Sequence, residues 1–426
     1  MSFRSALAHV GFRRLWYAQV VSRVGDSIHE IALVWVVYEL TGDPTLMAVV
    51  AVASLLPQVL TSLPAGVLVD RLNRRRLLVG STVLRGVAVL FIPLAPRLGL
   101  AVVPVVVGVA LVTGLMDAVF GPAKSAVIPN LVPESDLDAA NSLVQLTTSV
   151  SKLLYVFGGV VIAVVGAFPA FYVDAVTFVV SAGVLATLPR SIRYADTDES
   201  ASSLSTVVGE MREGLSFIAD SRLLMSLLLL SVLTGFTLGP LGVVLPVFAG
   251  ETLSAGSAAF GYLYGGIYVG VFVGGLAVNG LDGHTEEYRG EAIIAGIVGM
   301  GVALLGATLV PTVTPFPLLA GVGALVLFGG CLAVVQILVQ TLAQRVVPDD
   351  TRGRVFGIWT AVGLAAPPLS IAISGPALSA FTPSLVLSAQ GCIIVVAGVV
   401  LTRTPVFGRA GVSVDPQSGQ GDTEAG

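Results

Sequence analysis

Long runs of apolar residues, separated by short polar or Gly/Pro-containing connections, dominate the hydropathy pattern of the chain. An α-helix needs about 20 predominantly apolar residues to cross the hydrocarbon core of a bilayer. Runs of this length fall at about 14–40, 45–69, 77–96, 99–121, 140–165 and 170–189, and then at about 223–249, 257–281, 290–310, 316–345, 353–378 and 383–402. The pattern therefore predicts an all-α membrane protein with twelve transmembrane helices.

Two polar segments divide the chain further. The first separates the predicted helices into two sets of six and is rich in Ser, Asp and Glu, and the second follows the last helix and is hydrophilic and Gly-rich. We expect an N-terminal six-helix half at 1–189, a cytoplasmic linker at 190–222, a C-terminal six-helix half at 223–402 and a disordered cytoplasmic tail at 403–426. A Val-Pro-acidic sequence begins at Val132 and again at Val347. Its recurrence after the fourth and tenth helices indicates two halves related by pseudo-two-fold symmetry.

Composition narrows the possible functions. Charged residues make up 11% of the chain, whereas a soluble domain carries about a quarter. The sequence shows no basic face for nucleic acid. Its two cysteines, Cys331 and Cys392, lie in apolar runs, where a structural disulfide is not expected. Because phosphate-binding Gly-Lys-Ser/Thr sequences and metal-ligand spacings are also absent from the sequence, we expect no cofactor, no metal and no enzymatic activity.

Positive charges predict the orientation of the chain. Of its 22 Lys and Arg residues, all except Arg23, Arg85, Arg97 and Lys152 fall on one side of the predicted spans. Short loops that retain positive charge lie on the cytoplasmic side of a membrane. We therefore expect a multi-pass protein of the plasma membrane with both termini in the cytoplasm.

The connection between the second and third predicted helices carries the most specific motif. It reads Gly66-x-x-x-Asp70-Arg71-x-Asn73-Arg74-Arg75-Arg76 and resembles the cytoplasmic signature of the major facilitator superfamily. Further sequences are similar to the macrolide-efflux and enterobactin-exporter branch. They are Phe12-Arg13-Arg14-Leu15-Trp16, Gly25-Asp26, Gly121-Pro122-Ala123, Ala140-Asn141-Ser142-Leu143, Asp174-Ala175-Val176-Thr177-Phe178 and Arg352-Gly353-Arg354-Val355-Phe356-Gly357. The resemblance covers nearly the full chain.

This resemblance implies the major facilitator fold and transport by alternating access. It also implies a gating latch between this connection and the start of the eleventh helix near Gly353. The latch residues are Gly66, Asp70, Arg71, Arg74 and Arg75. In the alternative interpretation, the arginines only fix the topology. Asn73 stands where glycine is usual, and because Asn tolerates the left-handed conformation, we expect a tight turn there.

The first predicted helix carries a polar stripe. Gln19, Arg23, Asp26 and Glu30 follow the spacing i, i+4, i+7 and i+11, which places them on one face. A charge at the bilayer centre costs at least about 2.5–3.5 kcal/mol, so such residues face a cavity or a partner and mark transport pathways. In one interpretation, Arg23 neutralises both carboxylates permanently. In the other, Asp26 or Glu30 exchanges a proton as the cavity alternates, and Asp26, which lies deeper, is the favoured candidate.

The fifth helix has a similar stripe. Lys152 shares a face with Gln145 and Tyr155 at helical spacing. We expect Lys152 to pair with Asp26 or Glu30, or alternatively to bind an anionic substrate.

Arg85, His29 and Asp174 also lie within the first six spans. Arg85, in the third helix, either snorkels or pairs with Asp117, or takes part in coupling. His29 is expected to be a hydrogen-bonded packing residue or, alternatively, a group that titrates near neutrality, and Asp174 a packing or helix-start residue.

The spans of the second half contain essentially no full charges. Together with the first-half stripes, its glutamines complete a set of candidate substrate-cavity residues, which are Gln19, Gln145, Tyr155, Gln336 and Gln340. Hydrogen bonding between helices is the alternative role for Gln336 and Gln340. An apolar half with amide and aromatic contacts suits an amphipathic or hydrophobic small molecule.

These features predict a secondary active transporter, specifically a proton-coupled exporter of amphipathic small molecules that functions as a monomer. Its expected partners are the small-molecule substrate, protons or another ion, and the lipid bilayer, with no nucleic acid. A dedicated siderophore or metabolite exporter is one alternative. A non-transporting receptor or scaffold on the same fold is the other.

Overall fold

The computed structural model describes residues 3–189, 204–280 and 289–403, without the side chains at 62–71, 204–208, 210–211, 279–280 and 310–313. Throughout these ranges the regular structure is helical, with a few short 3₁₀ and π turns and no strand. The predicted all-α class is confirmed.

Twelve long helices follow one another along the described ranges of the chain. The first six are α1 (Val10–Thr41), α2 (Pro44–Arg71), α3 (Arg74–Leu94), α4 (Val102–Val127), α5 (Leu137–Ser151 and Tyr155–Val165) and α6 (Ala167–Ala186). The second six are α7 (Arg222–Val247), α8 (Ser257–Gly280), α9 (Arg289–Val313), α10 (Pro317–Val346), α11 (Arg352–Ala380) and α12 (Pro383–Thr402). A 3₁₀ turn at Lys152–Leu154 interrupts α5. A short helix at Phe3–Ala8 precedes α1, and a helix at Leu204–Asp220, called the linker helix below, precedes α7.

Eleven of the described helices are long and apolar enough to cross a membrane. The remaining long helix, α1, has 32 residues but carries Arg23, Asp26 and Glu30 near its middle. These charges make α1 less apolar than the other spans, and the cavity described below accommodates them. The chain is therefore a multi-pass membrane protein with the predicted twelve spans.

Helix packing repeats between the two halves. In the first half α2 packs on α4 and α3 on α6, and in the second half α8 packs on α10 and α9 on α12. Between the halves, α2 packs on α11 and α5 on α8. If six is added to or subtracted from each helix number, every contact in this set is converted into another contact of the same set. For example, the contact of α2 with α4 becomes that of α8 with α10. This exchange is the pseudo-two-fold relation that the repeated sequences predicted.

The halves meet closely on one side of the bundle. We call the side that holds the start of α1, the end of α6 and the linker helix the linker face, and its counterpart the opposite face. At the opposite face, a Cβ on Gly159 of α5 would lie 2.6 Å from the Cα of Gly261 of α8. A Cβ on Gly375 of α11 would lie 2.6 Å from the Cβ of Ala48 of α2. Two pairs of helices therefore close this face.

Asn73 differs from its prediction. Its backbone is extended, with φ −64° and ψ 110°, and its side-chain oxygen accepts a hydrogen bond from the backbone N–H of Arg76 at 3.0 Å. The expected tight turn is present, since α2 ends at Arg71 and α3 begins at Arg74, but Asn73 supports it as the N-cap of α3 and not through a left-handed backbone.

The polar segment before α7 contains more structure than a connection. In the linker helix, Ile218 is fully buried in a cluster with Val355 and Ile358 of α11. Arg354 donates a hydrogen bond to Glu213 of this helix at 2.9 Å. The composition is polar, but the helix is amphipathic, and its apolar side packs on the second half.

Candidate functional site

A cavity of about 470 Å³ lies between the two halves. Its charged lining comes entirely from the first half and consists of Arg23, Asp26, Glu30, Arg85, Asp117 and Lys124. The lining from the second half consists of Leu238, Gly239, Gly242, Phe260, Tyr264, Tyr268, Pro367 and Ile371. One wall is thus charged and the other is apolar and aromatic, a division that the sequence predicted for the two halves. The volume suits a small organic molecule.

Arg85 is the centre of the charged wall. Its guanidinium lies 2.5 Å from Asp26 and 2.9 Å from Asp117, and its Cζ lies 4.4 Å above the centroid of the Phe178 ring. The residue is 6% exposed. One buried cation is therefore shared by two carboxylates from different helices, α1 and α4. Sequence reasoning considered the contact with Asp117 but missed the contact with Asp26.

Arg23 does not neutralise its stripe as one interpretation required. Its guanidinium lies 3.9 Å from Asp26, at the outer limit of an ion pair. Within the described part of the chain, it forms no ion pair with Glu30. Arg85, from another helix, takes the place that sequence spacing had assigned to Arg23.

Glu30 lies one helical turn beyond Asp26 and has a different environment. The Tyr155 hydroxyl donates a hydrogen bond to its carboxylate. Tyr155 packs on Tyr264 and Tyr268, with ring centroids 5.2 and 5.1 Å away. Glu30 is exposed, and its side chain lines the cavity. The carboxylate therefore faces an aromatic cluster built from both halves.

Lys152 interacts electrostatically with Glu30, as expected, but without direct contact. Among the described residues it forms no ion pair with Asp26 or Glu30, and its ammonium lies 5.2 Å from the centroid of the Tyr268 ring. The 3₁₀ turn in α5 begins at this residue. Irregular local geometry is one reason why the helical spacing failed to predict this ring contact.

His29 and Asp174 meet behind the charged wall. The imidazole Nδ1 lies 3.0 Å from the Asp174 carboxylate, and both side chains are buried. Next to them, a Cβ on Gly25 would lie 1.9 Å from the Thr177 hydroxyl, so α1 and α6 approach closely. Both residues have the packing environment that was predicted, but their contact with each other was missed. The sequence signal that could have predicted this contact is that each residue is an isolated polar residue in an apolar helix.

The predicted substrate-cavity residues are only partly brought together. Tyr155 is buried behind Glu30, and the Gln19 side chain is buried with no described partner for its amide nitrogen. Gln145, Gln336 and Gln340 are exposed. Within the described chain, none of the four glutamines lines the 470 Å³ cavity. The aromatic residues of α8 occupy the positions that sequence reasoning gave to amides.

Only some of the predicted latch residues have side chains that the structure describes. The side chains of Gly66, Asp70 and Arg71 lie outside the described residues. Arg74 donates a hydrogen bond to the carbonyl of Ala126 at 2.9 Å, and Arg75 donates one to the carbonyl of Ala186. These carbonyls lie at the C-terminal ends of α4 and α6, where positive charge is favourable. The two arginines therefore bind first-half helices together at the linker face, and the latch stays a prediction.

Another cavity, of about 570 Å³, lies among α5, α8 and α10 and has an apolar lining that includes Val156, Phe316 and Leu319. Leu319 and Phe316 are strongly exposed, so this groove is on the outside of the bundle. It contains none of the charged residues and is separate from the site above. In the part of the chain that is described, no group of three His, Cys, Asp or Glu residues is arranged to hold a metal ion.

Comparisons with known proteins agree with this arrangement. The sequence profile of transmembrane secretion effectors matches residues 2–418. The multidrug efflux pump Tap of Mycobacterium tuberculosis is 27% identical over 399 residues, which cover 92% of this chain and 92% of that protein. Macrolide efflux protein A of Streptococcus pyogenes is 24% identical over 370 residues, which cover 85% of this chain and 88% of that protein.

Solved structures share the fold. The nucleoside transporter NupG aligns with a TM-score of 0.71 at 12% identity, covering 92% of this chain and 99% of that chain. A bacterial homologue of the iron transporter ferroportin, in an inward-facing state, aligns with a TM-score of 0.69 at 14% identity, covering 92% of this chain and 98% of that chain. The predicted fold of two six-helix halves is confirmed.

Proposed function

This chain belongs to the transmembrane secretion effector family of major facilitator transporters, and we propose that it exports amphipathic small molecules from the cell in exchange for protons. Its relatives include a multidrug efflux pump and a macrolide efflux protein. The cavity supports an amphipathic substrate, because one of its walls is charged and the other is apolar and aromatic. Both halves of a single chain enclose this cavity, which supports function as a monomer.

The proposed orientation places the linker face in the cytoplasm. Arg14, Arg74 and Arg75 all donate hydrogen bonds to backbone carbonyls at this face, as the retention of positive charge in the cytoplasm favours. The segments at 190–222 and 403–426 then lie inside the cell, and the protein resides in the plasma membrane. Since α5 and α8 pack closely at the opposite face, the described state is inward-facing. Export requires the halves to rock until the opposite face opens instead.

The shared guanidinium is the observation that supports proton coupling. Asp26 and Asp117 both contact Arg85, and the other guanidinium near them, that of Arg23, reaches only the outer limit of an ion pair with Asp26 at 3.9 Å, so neither arginine fully neutralises both carboxylates. A proton on either carboxyl group balances the charge of the cluster, so we assign one exchangeable proton to the Asp26–Arg85–Asp117 unit. Asp117 is 39% exposed and gives water in the cavity access to this unit.

Removing either carboxylate should uncouple proton movement from transport. In Asp26→Asn and in Asp117→Asn, one carboxylate remains for one guanidinium, and the cluster has no further need for a proton. We expect substrate-driven proton movement to fall at least tenfold in each variant. The measurement uses proteoliposomes containing a pH-sensitive dye, with erythromycin as the substrate because one relative is a macrolide efflux protein.

Asp43→Asn is the matched control for these two variants. Asp43 caps α2 through the backbone N–H of Thr45 at 2.8 Å, and asparagine caps a helix equally well. This variant should keep wild-type proton movement. Unchanged proton movement in Asp26→Asn would show that the coupling assignment is wrong.

A further inference from the structure

His29 and Asp174 form a buried pair next to the charged wall of the cavity. The imidazole Nδ1 lies 3.0 Å from the Asp174 carboxylate. Asp174 is fully buried, and within the described chain His29 is the residue that forms an ion pair with it. A carboxylate in such surroundings is unfavourable unless a positive charge accompanies it. A proton on the imidazole supplies that charge.

The charges around the pair leave this proton without a substitute. The groups that act on the pair electrostatically come from α1, α3 and α4 and are Asp26, Glu30, Arg85 and Asp117. The titratable residues of α5, Lys152 and Tyr155, act on Glu30 instead. Two carboxylates already share the Arg85 guanidinium. With a neutral His29, Arg85 would face the carboxylates of Asp26, Asp117 and Asp174, and balancing them takes one proton on the pair besides the one on the Asp26–Arg85–Asp117 unit.

The position of His29 gives this proton a route to the cavity. His29 and Asp26 line the cavity, whereas Asp174 does not. The imidazole Nε2, on the side of the ring away from the Asp174 contact, is buried and has no described hydrogen-bond partner. Asp26 lies three residues before His29 on α1, so the two side chains are neighbours on the helix surface. Since the Asp26 side chain is 14% exposed, it connects the imidazole to water in the cavity.

We propose that His29 and Asp174 bind a second exchangeable proton, which moves between the pair and the cavity by way of Asp26. The proton leaves Nε2 of the imidazolium, binds the Asp26 carboxylate and passes from there to water, and a neutral imidazole remains beside the Asp174 carboxylate. The proposal rests on the proposed exchange of substrate for protons. Because a proton at one site weakens the binding of a proton at its neighbour, the two sites release their protons in two linked steps.

Nuclear magnetic resonance of labelled histidine tests whether the pair holds a proton. The chain has three histidines, so the ¹⁵N signal of His29 is identified by its loss in His29→Gln. For purified protein in nanodiscs, this signal should change from imidazolium to neutral imidazole between about pH 5 and pH 9. In Asp174→Asn the imidazolium fraction at pH 7 should fall about tenfold, because the carboxylate that stabilises it is gone. A His29 signal that stays neutral, or stays charged, over this whole range would overturn the proposal.

The ratio of protons to substrate tests whether this proton is exchanged. Proteoliposomes with a trapped pH-sensitive dye and radiolabelled erythromycin give both movements in one preparation. Wild type should exchange about two protons per erythromycin and His29→Gln about one, whereas Asp26→Asn stops both because the second proton also passes through Asp26. A purely structural role of His29 would lower both movements together and leave the ratio unchanged, and that result would overturn the proposal. Misfolded protein contributes to neither movement, so the ratio does not depend on the folding yield.

His9→Gln is the matched control. The imidazole of His9 lies 2.8 Å from Asp136 in another His–Asp pair, but this pair is at the linker face and does not line the described cavity. The ratio in His9→Gln should equal that of wild type, and an equal loss in both histidine variants would overturn the role of His29.

The two measurements separate this proposal from the proposed function. If wild type and His29→Gln both exchanged about one proton per erythromycin, the second proton would be overturned and proton-coupled export would stand. If wild type showed no proton-coupled movement of erythromycin, the proposed function would fail. A His29 signal that changes with pH and depends on Asp174 would then still establish the proton site, and a signal that does neither would overturn it.

Discussion

Replacing Arg85 with glutamine should lower the free energy of unfolding by about 3–5 kcal/mol, the cost of removing one partner from a buried ion pair. Asp26 and Asp117 would lose the cation that lies 2.5 and 2.9 Å from them. The residue is 6% exposed and packs over Phe178, so water cannot fully replace the guanidinium. Unfolding of the purified protein in mixed detergent micelles, followed by circular dichroism, measures the change.

Two comparisons identify the cause of this loss. Arg97→Gln removes an exposed arginine from the 3₁₀ turn at Pro96–Leu98 and should change stability by less than about 0.5 kcal/mol. Adding Asp117→Asn to Arg85→Gln should recover part of the loss, since one fewer carboxylate is then left unpaired. Lowering the pH should also reduce the loss, because a protonated carboxyl group needs no cation. A loss below about 1 kcal/mol would show that Arg85 does not hold the cluster together.

The architecture could be predicted from the sequence because membrane helices are encoded locally. Each span is an apolar run of fixed minimum length, and the even number of runs places both termini on one face. Boundaries were less accurate: α4 continues to Val127 rather than ending near 121, and the segment before α7 contains a helix at Leu204–Asp220. The end of α4 and the linker helix both lie at the linker face and are amphipathic or polar. Hydropathy alone therefore does not mark where these helices begin or end.

The partners of the charged residues could not be predicted in the same way. Helical spacing placed Asp26 and Glu30 on one face of α1, and both line the cavity. Which residue each one contacts depends on the rotation and depth of neighbouring helices, and local sequence does not determine either quantity. Arg85 therefore replaced Arg23 as the partner of Asp26, and Tyr155 replaced Lys152 as the direct partner of Glu30.

Gly159→Val should shift the protein from the state in which the opposite face is closed towards one in which it is open, by roughly 5–150-fold. A Cβ on Gly159 would lie 2.6 Å from both the Gly261 Cα and the Ser257 carbonyl oxygen, so a valine cannot fit while α5 and α8 are closed. Overpacking of this kind costs about 1–3 kcal/mol, which changes a two-state equilibrium by that factor. The strain is present only while the opposite face is closed, so it favours the open state.

Cysteine labelling from outside the cell measures this shift. Gly242 lines the cavity, and a Cβ there would meet only the Tyr264 hydroxyl, at an ordinary contact distance of 3.9 Å, so Gly242→Cys is a suitable probe once Cys331 and Cys392 are replaced by alanine. A membrane-impermeant maleimide added outside should react with this cysteine several-fold faster when Gly159→Val is also present, because the open opposite face exposes the cavity.

Gly108→Val provides the matched control for the valine itself. Gly108 lies near the start of α4, at about the same depth as Gly159, and a Cβ there would meet no atom within 4 Å. Labelling should therefore stay at the wild-type rate. If Gly159→Val also left the rate unchanged, the contact between α5 and α8 would not be what closes the opposite face, and the tight approach of α2 to α11 at Gly375 would have to close it alone. A faster rate confined to Gly159→Val would instead assign the barrier between the cavity and the exterior to the crossing of two glycines.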